Sequence, residues 1–194
     1  MLDEKSLEVL FTKARSQNGW LDMPVSDETL RDLYDVWKYG PTSANCSPAR
    51  IVYVRSAAGK ARLAQHLIPD NKEKTLAAPV CAVIGHHRQF YDRIPELFPH
   101  NPEAREWFSN DAAAAAATAM RNGTLQAAYM MIAARAFGLD VGPMSGFDMA
   151  GMEQEFFPDG DVEINFICTI GRGDPDKLFD RLPRLAFEDA CELA

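Results

Sequence analysis

Four short polar stretches hold the residue types that could do chemistry. Arg15, Ser16 and Asn18 follow an apolar-patterned run near the start. "GPTSANCSPAR" (40–50) sets Thr42, Ser43, Asn45, Cys46 and Ser47 between Pro41 and Pro48. "GLDVGPMSGFD" (138–148) places Gly142, Met144, Ser145 and Gly146 in what reads as a tight turn. "GRGDPDKLFDRLPRL" (171–185) brings Arg181 and Arg184. The first and last stretches supply cations, the second supplies neutral donors and acceptors, and the third supplies accessible backbone. A ligand with a phosphate, a polyol and a planar heterocycle rich in N and O atoms needs that mixture. Each stretch also has a plainer reading. A cation near a helix C-terminus is favoured anyway. Ser43 and Asn45 could cap turns. The Gly-Pro-Met-Ser-Gly run could be a connector, and Arg181 and Arg184 could pair with Asp176 or Asp180.

The elements that must position these stretches alternate in type. Residues 4–15 read as an amphipathic helix with Leu7, Leu10, Phe11 and Ala14 on one face. Ser26 is an N-cap, and Leu30, Leu33, Tyr34 and Trp37 recur at helical spacing until Gly40 and Pro41. Strands are predicted at 49–55, 78–87 and 162–173, the second apolar on both faces. Short helices are predicted at 59–67 and 146–157, with one more near the C-terminus. Residues 88–110 are aromatic and proline-rich. Phe90, Tyr91, Phe98, Trp107 and Phe108 either line a pocket as a lid or form a local cluster. Residues 111–137 make the longest helix, opened by Asp111 and closed by Gly138. It is apolar nearly all round, so it must be buried on most sides, and a subunit interface would do this. The pattern implies one α+β domain over residues 1–194 and a homodimer.

Composition removes several classes of function. Net charge is −8 and the pI is near 5.0, so nucleic acid is not an expected partner. No apolar run approaches membrane-spanning length, and the start does not read as a secretory signal, so a cytoplasmic location is expected. Cys46, Cys81, Cys168 and Cys191 are scattered, as reduced thiols would be. His66, His86, His87 and His100 form no metal-binding spacing, and no metal is expected. The chain lacks a G-x-G-x-x-G fingerprint, which disfavours a nicotinamide-only dehydrogenase. Cys46 reads as packing rather than a nucleophile. His86 and His87 read as strand-end residues, with a paired acid/base role the alternative.

"KARSQNGWLDMPVSDETLRDLYDVWKYGPTSANCSPARIV", "NKEKTLAAPV", "RNGTLQAAYMMIAARAFGLDVGPMSGFD" and "LFDRLPRLAFEDA" together resemble the flavin-dependent nitroreductase family. The "GPTSAN-x-x-PAR" and "GLDxGPMSGFD" motifs look most like its malonic semialdehyde reductase branch, tied to pyrimidine degradation. The resemblance implies a three-layer α/β/α fold with a mixed, mostly antiparallel sheet, dimeric, with FMN held between two subunits. It implies that Pro41, Thr42, Ser43 and Asn45 reach the flavin of the other subunit. Arg15 and Ser16 would serve the phosphate and ribityl chain. Asn18 stands where the family usually has a second Arg, so that contact is weakened or moved. Asn71 and Lys74 match positions at the flavin's pyrimidine edge, where a cation stabilises the anionic reduced ring. Met144, Ser145 and Gly146 match the turn beside the ring. Arg184, and Arg181 less closely, match C-terminal phosphate ligands.

The implied activity is ping-pong hydride transfer from NADH or NADPH to a small carbonyl compound. In that branch it would be malonic semialdehyde (3-oxopropanoate), giving 3-hydroxypropanoate. The alternatives are a broad nitroaromatic or quinone reductase and a non-catalytic flavin-binding protein. No catalytic side chain is assigned, because the flavin N5 would carry the hydride.

Overall fold

The protein is described by a computed structural model covering residues 1–194. Helix α1 (Glu4–Leu7) continues as a π-turn over Glu8–Thr12. Helix α2 (Asp27–Trp37) starts where the Ser26 hydroxyl accepts from the Thr29 N–H at 3.0 Å, a standard way to satisfy an orphan donor. Strand β1 (Ala49–Val54), α3 (Ala57–Leu63), α4 (Pro69–Ala77) and β2 (Val80–His87) follow. Short turns of helix fill the aromatic stretch, including α5 (Ile94–Leu97) and α6 (Glu106–Ser109). Then come α7 (Ala112–Ala136), β3 (Asp140–Met144), α8 (Met149–Phe156), β4 (Val162–Gly171) and α9 (Phe187–Ala190).

The sheet runs β1-β2-β4-β3, and all three pairings are antiparallel. The mixed character expected of the sheet reduces to one isolated parallel bridge, Ser16 to Val141. Alternate β2 residues sort to opposite faces. Val80, Ala82 and Ile84 pack under α2 and α7 with Leu33, Trp37, Ala127 and Met130. Cys81 and Val83 pack under α3 and α8 with Leu63, Phe147 and Met152. Helices therefore cover both faces, giving three layers. A third cluster joins Cys46, Phe90, Ile94, Ala104 and Phe108 to the start of α7. The aromatic stretch thus has its own small core rather than hanging free. Trp107 and Phe98 lie at its margin, Trp107 exposed.

Two readings from the sequence change. The 138–148 stretch is an edge strand before it is a turn. Gly142 allows this: a Cβ there would lie 2.7 Å from Gln17 O and 2.6 Å from Thr169 Oγ1. Helix α4 was not expected from periodicity, although Pro69 at its first turn and Asp70 behind it are start signals. The long helix fits its expected bounds. Asp111 Oδ1 caps Ala113 and Ala114 N–H at 3.0 Å each, and Gly138 ends it with φ of 70°. It leaves Met120, Leu125 and Tyr129 exposed in the single chain. Leu7 and Phe11 of the N-terminal helix are likewise exposed. No helix is long and apolar enough to cross a membrane.

Candidate cofactor site

Residues 14–20 run beside the β3 edge. Gln17 N–H donates to Val141 O at 3.0 Å, and Ser16 bridges to Val141. The C-terminal arm crosses them. Arg181 donates to Ala14 O at 3.1 Å, and Arg15 donates to Phe179 O. Helix α4 closes the other side. Asn71 Nδ2 donates to Gly146 O at 2.9 Å, Thr75 Oγ1 lies 3.3 Å from Met144 Sδ, and Trp20 Nε1 donates to Lys74 O at 3.0 Å. One edge of the sheet therefore gathers Arg15, Ser16, Asn18, Asn71, Lys74, Met144, Ser145, Gly146 and Arg181. Asn18 makes no side-chain hydrogen bond there. Arg184 is exposed and bonds only to its neighbours Leu182 O and Pro183 O, at 3.0 Å each.

The Pro41–Asn45 loop is elsewhere. It feeds β1, which is the opposite edge strand. Three strand spacings, about 14 Å, separate the two edges. The loop is tightly held. Ala44, Asn45 and Ser47 take positive φ of 48°, 47° and 40°, a conformation costing about 1–2 kcal/mol per non-glycine residue. Ser43 N–H is bound by Asn122 Oδ1 at 2.9 Å, and Ser47 N–H by Thr42 Oγ1 at 3.2 Å. The Asn45 amide, matched to a flavin contact, instead donates to Leu97 O at 2.8 Å. Within one chain the structure does not bring this loop to the other candidates.

Several positioning residues were not singled out from the sequence. Asn122 and Gln126 are buried on α7, and Gln126 Oε1 accepts from Ala49 N–H at 2.9 Å. With Thr118 they form a polar i, i+4 stripe amid alanines, and that was a readable signal. Gln17 is buried against Gly173 with its Oε1 unpartnered. Trp20 gives no such signal. Burial pushes the Cys46 thiol up to about 11, too high for a thiolate nucleophile near neutrality. His86 is buried with Nδ1 unpartnered, and His87 Nε2 lies 3.1 Å from Asp161. No group of acidic, His and Cys side chains is arranged to hold a metal ion.

The residues fit a flavin mononucleotide in two respects. None of the gathered cations Arg15, Lys74 and Arg181 forms an ion pair, so three remain available to a phosphate and an anionic ring edge. Asn71 comes against the Met144–Gly146 turn only because residue 146 is glycine: a Cβ there would lie 2.5 Å from Ile68 Cδ1 and 2.6 Å from Asn71 Nδ2.

Comparison with known proteins agrees. The model of the nitroreductase family matches residues 12–172. A protein of Cupriavidus pinatubonensis, provisionally named NADH dehydrogenase/NAD(P)H nitroreductase, is 54% identical over the whole of both chains. The similarly named HadB of Ralstonia pickettii is 57% identical over 97% of each. Among solved structures, a provisionally named nitroreductase of Bacillus subtilis superposes with a TM-score of 0.90 at 20% identity, covering 99% of this chain and all of that one. Another, from Exiguobacterium sibiricum and solved in complex with FMN, gives 0.88 at 17% identity, covering 100% and 99%. The chain belongs to the nitroreductase family.

Proposed function

We propose that the chain is an FMN-dependent NAD(P)H oxidoreductase that works as a homodimer and reduces malonic semialdehyde to 3-hydroxypropanoate. One observation carries the cofactor and dimer together. Arg15, Ser16, Asn71, Lys74, Met144–Gly146 and Arg181 gather at the β3 edge, while the Pro41–Asn45 loop occupies the β1 edge. A site using both needs the loop of a second copy. The exposed side of α7 with Leu125 and Tyr129 supplies apolar surface for such an interface.

Bound FMN would supply a two-electron carrier, taking hydride from NADH or NADPH and passing it to the aldehyde carbon. The overall balance is NAD(P)H, a proton and the aldehyde giving NAD(P)+ and the alcohol. Arg15 and Arg181 would exchange their backbone carbonyl partners for phosphate oxygens, with Arg184 joining them. Asn71, already oriented by Gly146, and Lys74 would face the pyrimidine edge, where positive charge favours the reduced anion. A second reading is a reductase of nitroarenes or quinones, and the nitroreductase names of the two close relatives support its nitroarene part.

Anaerobic titration with NADH, followed by visible absorbance, tests these readings. Bleaching of a flavin band, with rapid recovery on adding malonic semialdehyde, is the expected result. Recovery only with a quinone or nitroarene would select the second reading. Absence of a flavin band after FMN is supplied would overturn both.

A further inference from the structure

A cleft of about 920 Å3 lies between α2, β1 and the Phe90–Leu97 turns, away from the β3 edge. Arg31, Arg50, Arg55 and Arg93 line it, with Tyr34 and Ser47 among the others. Four guanidinium groups around one cleft are unexpected in a chain of net charge −8. Two carboxylates also line it, and both are engaged. Arg55 holds Asp27, and Lys38 holds Asp35 at 2.5 Å. Arg93 pairs with Glu96 in a two-point contact at 2.8 and 3.0 Å. Arg31 and Arg50 have no carboxylate partner.

Arg50 is half-buried. Its Nη1 donates to Ser47 O, Pro48 O and Ala49 O at 3.1, 3.4 and 2.8 Å. These bonds fix the plane of the guanidinium while Nε and Nη2 make no bond within the chain. A guanidinium has five donors, and a half-buried one with a free donor edge beside a second cation favours an anion there. Burial first, and then the charge of Arg93, lower the Arg50 pKa, while Asp161 and Tyr34 act the other way.

We propose that this cleft is a carboxylate-binding site, with Arg50 as the forked ligand and Arg31 and Arg93 as flanking charges. A planar fork with a free edge matches a carboxylate in two-point geometry. The carboxylate has two sources of the same chemistry. One is a small free acid. The other is the acidic end of a second copy, where Glu188, Asp189 and Glu192 are exposed among Phe187 and Leu193. Ser47 and Leu97 both line the cleft, and Leu97 O holds Asn45. An anion there therefore bears on the strained loop. The site does not require a flavin, so its test is independent of the function proposed above.

Malonate titrated into the full-length protein at low ionic strength, read by calorimetry, makes the test. The comparison chains are Arg50→Gln and a triple variant, Glu188→Gln/Asp189→Asn/Glu192→Gln. Saturable binding to the parent chain that weakens at least tenfold in Arg50→Gln identifies a site for a small acid. Binding at least tenfold tighter in the triple variant than in the parent identifies the tail as the resident carboxylate. Arg31→Gln changes an exposed side chain and should weaken malonate about threefold, which keeps the test usable if Arg50→Gln does not fold. Equal affinity in every chain, or no saturable binding to any, overturns the proposal.

Discussion

The backbone N–H of Ser43 is held by the side-chain oxygen of Asn122, 2.9 Å away and 79 residues along the chain. A buried amide on the longest helix thus sets the position of the loop that ends at β1. Asn122 Nδ2 donates in turn to Thr118 O at 2.8 Å, which fixes the orientation of the amide. Replacing Asn122 with Ala leaves the Ser43 N–H without its partner beside three left-handed residues. The expected cost is about 1–3 kcal/mol, or a fall in Tm of about 2–12 °C for a chain of this size. Calorimetric melting of the two proteins measures it, and an unchanged Tm would mean the loop holds itself.

Gly146→Ala tests the cradle. The added methyl meets Asn71 Nδ2 and Ile68 Cδ1 within hard-contact distance. The Ile68 and Asn71 side chains must swing aside, and Asn71 loses its bond to Gly146 O. FMN affinity should fall at least tenfold with the far-ultraviolet circular dichroism unchanged. Fluorescence titration of apoprotein with FMN reads the first quantity.

His86 gives a pH prediction. Burial is the main cause lowering its pKa; the charges of Glu163 and Glu153 oppose it, and Arg88 assists. When unfolded, the imidazole takes a proton near pH 6.5, as an ordinary histidine does. As pH falls through about 6.5, the unfolded chain binds that proton before the folded one, so stability drops below that pH. In His86→Leu the fall in Tm between pH 7 and pH 5 should be shallower. Parallel Tm curves for the two proteins would remove His86 from the account.

Thiol labelling separates the four cysteines. Burial raises Cys46 to about 11 and Cys168 to about 12, and raises Cys81 as well. Cys191 is exposed. Iodoacetamide at pH 7.5 should modify Cys191 within minutes and leave the others until the chain is unfolded. Peptide mass mapping identifies the labelled site. Early modification of Cys46 would reopen a nucleophilic role for it.

Leu125→Glu places a charge on the exposed outer face of α7. If that face joins two copies, the variant should run as a monomer in light-scattering chromatography and retain less FMN than the parent. A dimer of unchanged stability would place the interface elsewhere.

Regular elements were readable where local chemistry and tertiary packing agree. Ser26, Asp111 and Gly138 mark helix ends that the structure keeps, and the continuous apolar run in 78–87 matches a strand covered on both faces. The 138–148 stretch was misread because Gly142 and Pro143 signal a turn locally. Only contact with Gln17 O and Thr169 makes it a strand, and that information is non-local. The same holds for the cradle. Arg15 and Arg181 lie 166 positions apart in sequence, and no periodicity joins them. Residue types suggested a phosphate and a heterocycle, the family resemblance selected the positions, and the fold alone shows that they divide between two edges of one sheet.

That division has a genetic consequence. In the dimer proposed above, each chain would lend its loop to one site and its cradle to the other. A chain with a damaged loop and a chain with a damaged Gly146 cradle are each inactive as pure assemblies. Mixed together, they form a hybrid in which one site draws both of its halves from undamaged segments. Co-expression of two dead alleles should therefore restore measurable turnover, whereas two lesions at the same edge should never complement.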